Sequence, residues 1–446
     1  MKQIITAKLK LLTTPEQAQA LRMTQLAYRD GLNAVSQYAF EHGKTSSAKK
    51  VHQGMYDELR ASHHLPSQLA CSVERQVAAT YRGLWTKLLK NKEHRRKRIT
   101  KKRFKGLDQP PHYSSPTVEY TYDRDYTFKC DQQVSVGTLK GRIIIPYQGY
   151  NEHIALIQHG ASIGDAKLWY DKPKKIFYLL VALKIDIEEP TPAQLREVVG
   201  VDVGVRYLAV TSTEAGAPTF YPGKRVRHKA NHYARLRKRL QRKGTRGARR
   251  RLQRIAQRER RFKLQHNHVI ARQITKQHPH TLIGLEDLTD IRERTARRKR
   301  RRKKNGKGFE QVSIKAHKAN RVYSQWSFAE LHALISYKAL LSSSLAVKVD
   351  AYKTSQACPM CGHAAKENRP QKGLLFACQN KGCHYTLHAD LIGARNVVMR
   401  TLLLRQDWSK TGLLSMAPDA SNEEAKAARR KRYAEVRWSP DVRSSR

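Results

Sequence analysis

Acids are scarce in this chain. Asp and Glu number 37 against 87 Lys and Arg, so its 446 residues carry a formal charge of +50. Such an excess repels itself unless a polyanion is near, which points to a nucleic-acid partner; ribosomal proteins, nucleases and transposition proteins all fit. Long apolar runs are missing too. No stretch of about 18 apolar residues occurs, so no membrane span is expected. The opening MKQIITAKLKLLTTPEQ has neither an apolar signal core nor a small-residue cleavage site. The expected location is therefore the cytoplasm, with the nucleoid, or the nucleus in a eukaryotic source. Cysteine is limited to six residues, four of them between 358 and 383. That clustering is unlike a secreted disulfide framework and suggests a bound metal.

What is present divides the chain. Residues 1–12 read as a basic alternating strand. Thr14, Pro15 and Glu16 then form a helix start. Leu21, Leu26, Leu32, Val35 and Tyr38 fit one helix, and Leu69, Val73, Val77, Tyr81, Leu84 and Leu88 another, with a break at Leu65 and Pro66. After a charge run at 91–106, residues 113–183 hold Tyr/Val/Ile/Phe-rich segments broken by turns, which read as strands of a small barrel; HIALIQHG, from 153, is taken as one of them. The first strand could join this barrel, making the helices an insertion. An acidic, Pro-containing linker follows at 185.

From Lys224 to Lys263 the only acid is Glu259, among nineteen Lys and Arg. Leu236, Leu240, Leu252, Ile255 and Phe262 keep a thin helical stripe, and Gly244 and Gly247 offer a turn between two basic helices. Nucleic-acid contact is expected there, with Arg249, Arg250 and Arg251 as candidates. A second basic run at 292–308 lacks apolar periodicity and reads as a loop that is mobile when unbound; Arg298, Arg300 and Arg301 are its candidates. A helix from Trp326, a strand at 346–352 and a polar tail past Trp408 with little fixed structure complete the chain.

Cys358-Pro-Met-Cys361 precedes a sixteen-residue gap and Cys378-Gln-Asn-Lys-Gly-Cys383. Two pairs on tight knuckles supply four thiolates to a tetrahedral Zn²⁺, a structural arrangement because no open position is left. The second pair is longer than usual, so His363 or His384 could replace one cysteine. Gly362 and Gly382 are expected to permit the turns.

Three acids share a setting: Asp202 in GVDVG, Glu286 in IGLED and Asp390 in LHADLIGARN. Each lies at a strand end or helix start among small or apolar residues. A lone buried Asp is ordinarily satisfied by backbone or Arg hydrogen bonds. Three carboxylates meeting at one point cannot all stay ionised without a cation. Two Mg²⁺ (or Mn²⁺) about 4 Å apart would neutralise them, activate a water and stabilise the leaving oxygen of a phosphodiester. Alternation along a strand selects Glu286 over Asp287, since only one of two neighbours can face the site. Gly200, Gly204 and Gly284 are expected to keep that face open for metal and DNA.

In this order, GVDVGVRYLAVTS, IGLEDL and LHADLIGARNV resemble the three RuvC motifs of the TnpB family of transposon-encoded RNA-guided nucleases, relatives of compact type V CRISPR effectors. WSFAELHALISYKALL and VKVDAYKTSQACPMCGH resemble the helix, strand and zinc knuckle between the second and third motifs. The resemblance is strong over 198–400 and weaker but collinear over 1–190. It implies a multidomain α+β fold: an RNase H-like RuvC nuclease domain with an inserted zinc-binding domain, plus an N-terminal β-barrel wedge domain interrupted by a helical bundle. The implied divisions are wedge at 1–13 and 111–190, helical recognition domain at 14–110, RuvC at 191–353 and 387–407, zinc-binding domain at 354–386 and a disordered basic tail at 408–446. Asp202, Glu286 and Asp390 fall on the family's metal-binding acids, and Cys358, Cys361, Cys378 and Cys383 on its zinc ligands. Arg395 and Asn396 fall beside the third acid as phosphate-contact candidates.

The implied activity is cleavage of double-stranded DNA next to a short adjacent motif, guided by an RNA from the transposon end, with base pairing choosing the target. The expected partners are guide RNA and target DNA, no membrane, and a monomer on its RNA with a homodimer as the alternative. Competing readings are a compact CRISPR effector, a nuclease-inactive RNA-guided repressor and a strand-joining transposase using the same acids.

Overall fold

The computed structural model describes residues 2–96, 100, 102–115, 117–172, 174–289, 298–302, 309–313, 327–370, 374–414 and 423–438. The chain separates into two compact units, Met1–Ile187 and Glu188–Arg446.

The first unit is a seven-stranded antiparallel sheet carrying a helical insertion. Its strands are β1 (Lys2–Leu11), β2 (Val118–Tyr120), β3 (Tyr126–Lys129), β4 (Gln133–Thr138), β5 (Gly141–Gln148), β6 (Ser162–Asp171) and β7 (Ile176–Asp186), in the order β2-β6-β7-β1-β5-β4-β3. The first strand is central, pairing with β7 from Lys2↔Asp186 to Lys10↔Tyr178 and with β5 at its end. Helices α1 (Pro15–Glu41), α2 (Ala48–Ala61) and α3 (Ser67–Arg96) are therefore an insertion between β1 and β2. Thr14 caps α1 in a reciprocal capping box with Gln17, behind Pro15. Tyr120 on β2 donates to the Gly137 carbonyl of β4 at 2.9 Å, and Tyr126 on β3 donates to the Gly164 carbonyl of β6 at 2.5 Å. These bonds join strands from opposite ends of the strand order, so the sheet curls back on itself. The HIALIQ segment departs from expectation: Asn151–His159 is a helix, α4, not a strand. Ile154 is buried and Ile157, one turn on, packs on the same core. A spacing of three outweighs local β propensity there.

The second unit is built on a five-stranded sheet. Its strands are β8 (Glu197–Asp202), β9 (Tyr207–Thr213), β10 (Pro218–Pro222), β11 (Thr281–Asp287) and, after an intervening hairpin, β14 (Leu345–Asp350). They run in the order β10-β9-β8-β11-β14, with β8, β11 and β14 parallel. The basic segment forms α5 (Lys224–Lys243), α6 (Arg246–Ile255) and α7 (Arg258–Gln277). As expected, the α5–α6 pair closes over a thin stripe of Leu240, Ala248 and Ile255. Part of the second basic run is a hairpin rather than a loop: β12 (Arg298–Arg302) pairs antiparallel with β13 (Phe309–Ser313). Helix α8 (Phe328–Leu341) precedes β14; the short strands β15 (Leu375–Ala377) and β16 (Thr386–His388) pair with each other; α9 (Ala389–Thr411) and α10 (Glu423–Glu435) end the described fold.

The tail therefore departs from expectation too. Helix α9 runs past 407, and α10 with Trp438 is ordered by contacts that local hydropathy does not reveal. Arg432 forks onto Asp407 at 2.9 and 3.0 Å. Trp438, only 6% exposed, donates its backbone N–H to the Pro359 carbonyl at 2.8 Å.

The sheet is covered on both faces. Val199, Val201, Ile283 and Leu285 share one apolar core with Ile270, Ala271 and Ile274 of α7 and Leu331 and Ile335 of α8. The alternate residues Gly200 and Gly284 are cross-strand neighbours and face α9. A Cβ on Gly200 would lie 2.3 Å from the Ala394 carbonyl and 2.6 Å from the Val398 nitrogen. One on Gly284 would lie 1.9 Å from Thr401 Oγ1. These glycines thus hold no face open for metal or DNA, which corrects the sequence expectation. They let the α9 backbone lie directly on the sheet.

Gly284→Ala is expected to lower stability by about 1–3 kcal/mol through overpacking. Thr401→Ala in the same chain should recover most of that loss, because the obstructing atom is a side-chain oxygen. Gly200→Ala should have no such single-residue rescue, because it meets backbone. Urea unfolding of the single and double variants measures both; equal recovery at the two positions would sink this account of the packing.

Candidate functional site

Asp202 is the last residue of β8, Glu286 the sixth of β11 and Asp390 the second of α9. Glycines bring them together. With α9 seated on Gly200 and Gly284, its first turn reaches the carboxyl ends of the two parallel strands. Gly393, one turn into α9, faces Asp202: a Cβ there would lie 2.9 Å from the Asp202 carboxyl carbon. Asp202 and Glu286 continue the alternation that puts Gly200 and Gly284 on the α9 side. Glu286 is 6% exposed and accepts from Thr354 Oγ1 at 2.5 Å. Asp287 accepts from the Thr289 backbone at 3.1 Å, and of the two neighbours it is Glu286 whose charge acts on Asp202. Asp390 is in the first turn of α9, where the helix dipole favours a carboxylate.

Burial raises the Asp202 carboxyl well above the usual carboxylate range, and the charges of Glu286 and Asp390 push it further; the Arg369 guanidinium pulls the other way. Burial also raises Glu286, while the Thr354 hydroxyl and the Arg400 guanidinium favour its ionised form. Three acids from three elements thus act on one another, Glu286 buried and Asp202 and Asp390 half-buried, and among the described residues no ammonium group is bonded to them. This donor set is all oxygen and suits hard divalent cations. A cation is the simplest means of keeping all three ionised together.

The residues after the third acid divide. Asn396 is 3% exposed and gives its amide protons to the Thr354 carbonyl at 2.6 Å and the Ala357 carbonyl at 2.9 Å. Both donors are used, so Asn396 holds the Thr354 turn rather than contacting phosphate, which corrects the expectation for it. Arg395 is half-buried, donates to the Tyr385 hydroxyl and stacks over Trp438 at 5.1 Å; its Nε is buried without a partner. Arg369 and Arg400 have no motif to mark them in sequence, and Thr354 lies in the quoted VKVDAYKTSQACPMCGH stretch without being singled out there. Arg400 is 6% exposed, donates to the Asp350 and Tyr352 carbonyls and stacks over Tyr433 at 4.3 Å. A long basic side chain in an apolar helix run, MRTLLL, is the one sequence signal of a buried role.

The four cysteines converge. Cys358 and Cys383 sulfurs are 3.8 Å apart and those of Cys361 and Cys378 are 3.5 Å apart, with all four within 4.8 Å of one another. Four thiolates about 2.3 Å from one zinc would sit about 3.8 Å apart, so the spacing fits a tetrahedral ion. Neither His363 nor His384 is in the cluster. Gly362 has the left-handed φ of 77° expected of a knuckle glycine, but in the second turn that role falls to His384, at φ 46°, and not to Gly382. The C-terminal segment covers the first knuckle: a Cβ on Gly362 would lie 2.5 Å from the Ala434 carbonyl.

Arg249, Arg250 and Arg251 are exposed on α6. Arg298, Arg300 and Arg301 lie on β12, and their side chains fall outside the described residues. No helix among the described residues is long and apolar enough to cross a membrane.

In the metal-free protein the sign of the pH effect follows from Asp202. Its folded value lies well above 3.8, so its stabilising contribution is complete below 3.8 and is lost as pH rises through the raised value. Asp202→Asn removes that loss. At neutral pH in chelator it should melt above the wild type, and the difference should vanish in acid. A variant that melts lower at neutral pH would mean that Asp202 is a satisfied structural residue.

Residues 182–292 match a family model described as a probable transposase, OrfB_IS605, and residues 328–397 match the TNB domain of Cas12f1-like proteins. The first stretch contains Asp202 and Glu286; the second contains the four cysteines and Asp390. A stretch of 79 residues is 38% identical to the putative RNA-guided DNA endonuclease InsQ of Escherichia coli (strain K12), covering 18% of this chain and 19% of that protein. Another of 80 residues is 32% identical to the CRISPR-associated endodeoxyribonuclease Cas12f1 of Sulfoacidibacillus thermotolerans, covering 18% of each. The aligned stretches thus span about a fifth of these relatives' own length. Among solved structures, CasPhi-2 (Cas12j) bound to crRNA superposes with a TM-score of 0.51 at 14% identity, covering 90% of this chain and 98% of that one. That likeness concerns the fold alone, and it agrees with a multidomain α+β architecture. Both family models match in the order in which the motifs occur, so these two stretches are similar to the OrfB_IS605 probable transposases and to the TNB domain of Cas12f1-like proteins.

Proposed function

We propose that this protein is an RNA-guided DNA endonuclease that cuts double-stranded DNA beside a short adjacent motif, using a guide RNA derived from a transposon end and supporting maintenance of the element. The observation that carries the reading is that Asp202, Glu286 and Asp390, from three separate elements, come close enough for their charges to act on one another, in a chain with charge +50. In this reading the second unit is a RuvC nuclease domain of RNase H type with an inserted zinc-binding domain. The first unit is a wedge barrel whose helical insertion recognises the guide and the target-adjacent duplex.

The three acids would hold Mg²⁺ (or Mn²⁺), which when bound supplies an activated water and stabilises the leaving oxygen. Glu286 is aimed by the Thr354 hydroxyl, whose turn Asn396 ties down. Arg369 sits where its charge reaches Asp202, and Arg395 has an unpaired guanidinium nitrogen, so both are candidates for the phosphate. Cys358, Cys361, Cys378 and Cys383 would hold a structural Zn²⁺ that fixes the loop from β14 to α9. The protein would act as a monomer on its RNA. A compact CRISPR effector is the second reading, favoured by the match to the Cas12f1-like domain; a repeat–spacer array beside the gene would mark it.

Purified protein with its co-purifying RNA should cut DNA matched to that RNA in Mg²⁺ or Mn²⁺ and leave it whole in chelator. Asp202→Ala should bind the same DNA and cut none of it. Matched DNA that stays intact in Mg²⁺ while bound would overturn the nuclease reading, and strand-joining without guide RNA would replace it with a transposase.

Replacing Arg249, Arg250 and Arg251 with Gln should weaken nucleic-acid binding and flatten its dependence on salt. The slope of log K against log salt should fall by about one for each phosphate that these arginines neutralise in the wild type. An unchanged slope would mean that they face only solvent.

A further inference from the structure

A second group of metal-ligating side chains lies in the helical insertion of the first unit. His52 is in the second turn of α2. Cys71 and Glu74 are one turn apart on α3, so they share a face of that helix. One donor atom from each of the three residues lies within 4.8 Å of the others. His52 Nδ1 is 2.7 Å from Glu74 Oε2. Glu74 is 2% exposed, and its other oxygen, Oε1, is buried with no hydrogen-bond partner. The His52 side chain is 47% exposed, and its ring packs against Tyr56 with centroids 4.7 Å apart.

A plain His–Glu ion pair accounts for Oε2. It does not account for the unpaired buried oxygen, nor for a thiol within reach of both partners. We propose that His52, Cys71 and Glu74 bind a divalent transition metal, zinc above all, that ties α2 to α3. A nitrogen, a sulfur and an oxygen donor form a set that Mg²⁺ and Ca²⁺ do not favour and Zn²⁺ does. Ligands about 2.0–2.3 Å from one tetrahedral ion sit about 3.3–3.8 Å apart. A pair at the 4.8 Å limit needs to close by about 1–1.5 Å, and the His52–Glu74 pair at 2.7 Å needs to open by about 0.6 Å, adjustments that rotation of the exposed His52 ring assists. A thiolate and a carboxylate neutralise the ion, which matters because Arg75 and Arg124 set positive charge near Cys71. Three protein ligands leave a fourth position on the exposed His52 side for water.

The test is zinc content of the full chain after equilibrium dialysis against Zn²⁺ and removal of the excess. The wild type should hold two ions per chain. His52→Ala and Cys71→Ser should each lose one and keep the other, while Cys358→Ser should lose the opposite ion. With Co²⁺ as probe, Cys358→Ser should retain a weak thiolate-to-metal charge-transfer band from one sulfur, and adding His52→Ala should abolish it. His52 is exposed, so its variant tests the site even where Cys71→Ser folds poorly. The proposal is overturned if His52→Ala holds as much zinc as the wild type, or if Cys358→Ser shows no cobalt band. A failed four-cysteine knuckle would be distinct, since the ion that His52→Ala removes would remain.

Discussion

The second unit depends on one piece of packing, the α9 backbone lying directly on β8 and β11. Gly200 and Gly284 are paired across the two strands, and each leaves room for helix atoms that a methyl group would strike. Glycine is destabilising inside a strand, so its use here needs a return. The return is position. A helix seated this closely carries Asp390 down to the strand ends that hold Asp202 and Glu286. Gly393 repeats the device from the helix side, clearing space for the Asp202 carboxyl.

That closeness also sets the electrostatics. Burial raises both Asp202 and Glu286, the neighbouring carboxylates push Asp202 further, and this cost persists unless a cation lies between them. Much of the surrounding structure restrains the movements that would relieve the cost. Thr354 holds Glu286, Asn396 holds Thr354, and Arg400 is fixed on the Asp350 and Tyr352 carbonyls. The four-cysteine cluster lies between β14 and α9 in sequence and thus joins the strand paired beside that of Glu286 to the helix that bears Asp390. The C-terminal segment is part of the same frame: Trp438 bonds Pro359 of the first knuckle and underlies Arg395 of α9.

Where the sequence misleads, a long-range partner decides the outcome. Residues 151–159 contain β-favouring Ile and Leu, yet they fold as a helix because Ile154 and Ile157 meet the core at helical spacing. The tail reads as structureless because its apolar residues are few; Tyr433 and Trp438 find Arg400 and Arg395, which lie far back in the chain. Adjacency groups Asn396 with Arg395, but residues next to each other on a helix point about 100° apart. One faces the Thr354 turn and the other Trp438.

The sequence by itself determined the candidate ligands. Residue chemistry named three acids and four thiols, period-2 alternation separated Glu286 from Asp287, and the charge of +50 named the class of partner. Those properties are local, so a string of residues carries them. Tertiary structure alone decided what the glycines do, which arginines stand near the acids, and that His52 meets Glu74 across two helices. Each of these is a distance between side chains remote in sequence, fixed only when helices and sheets pack.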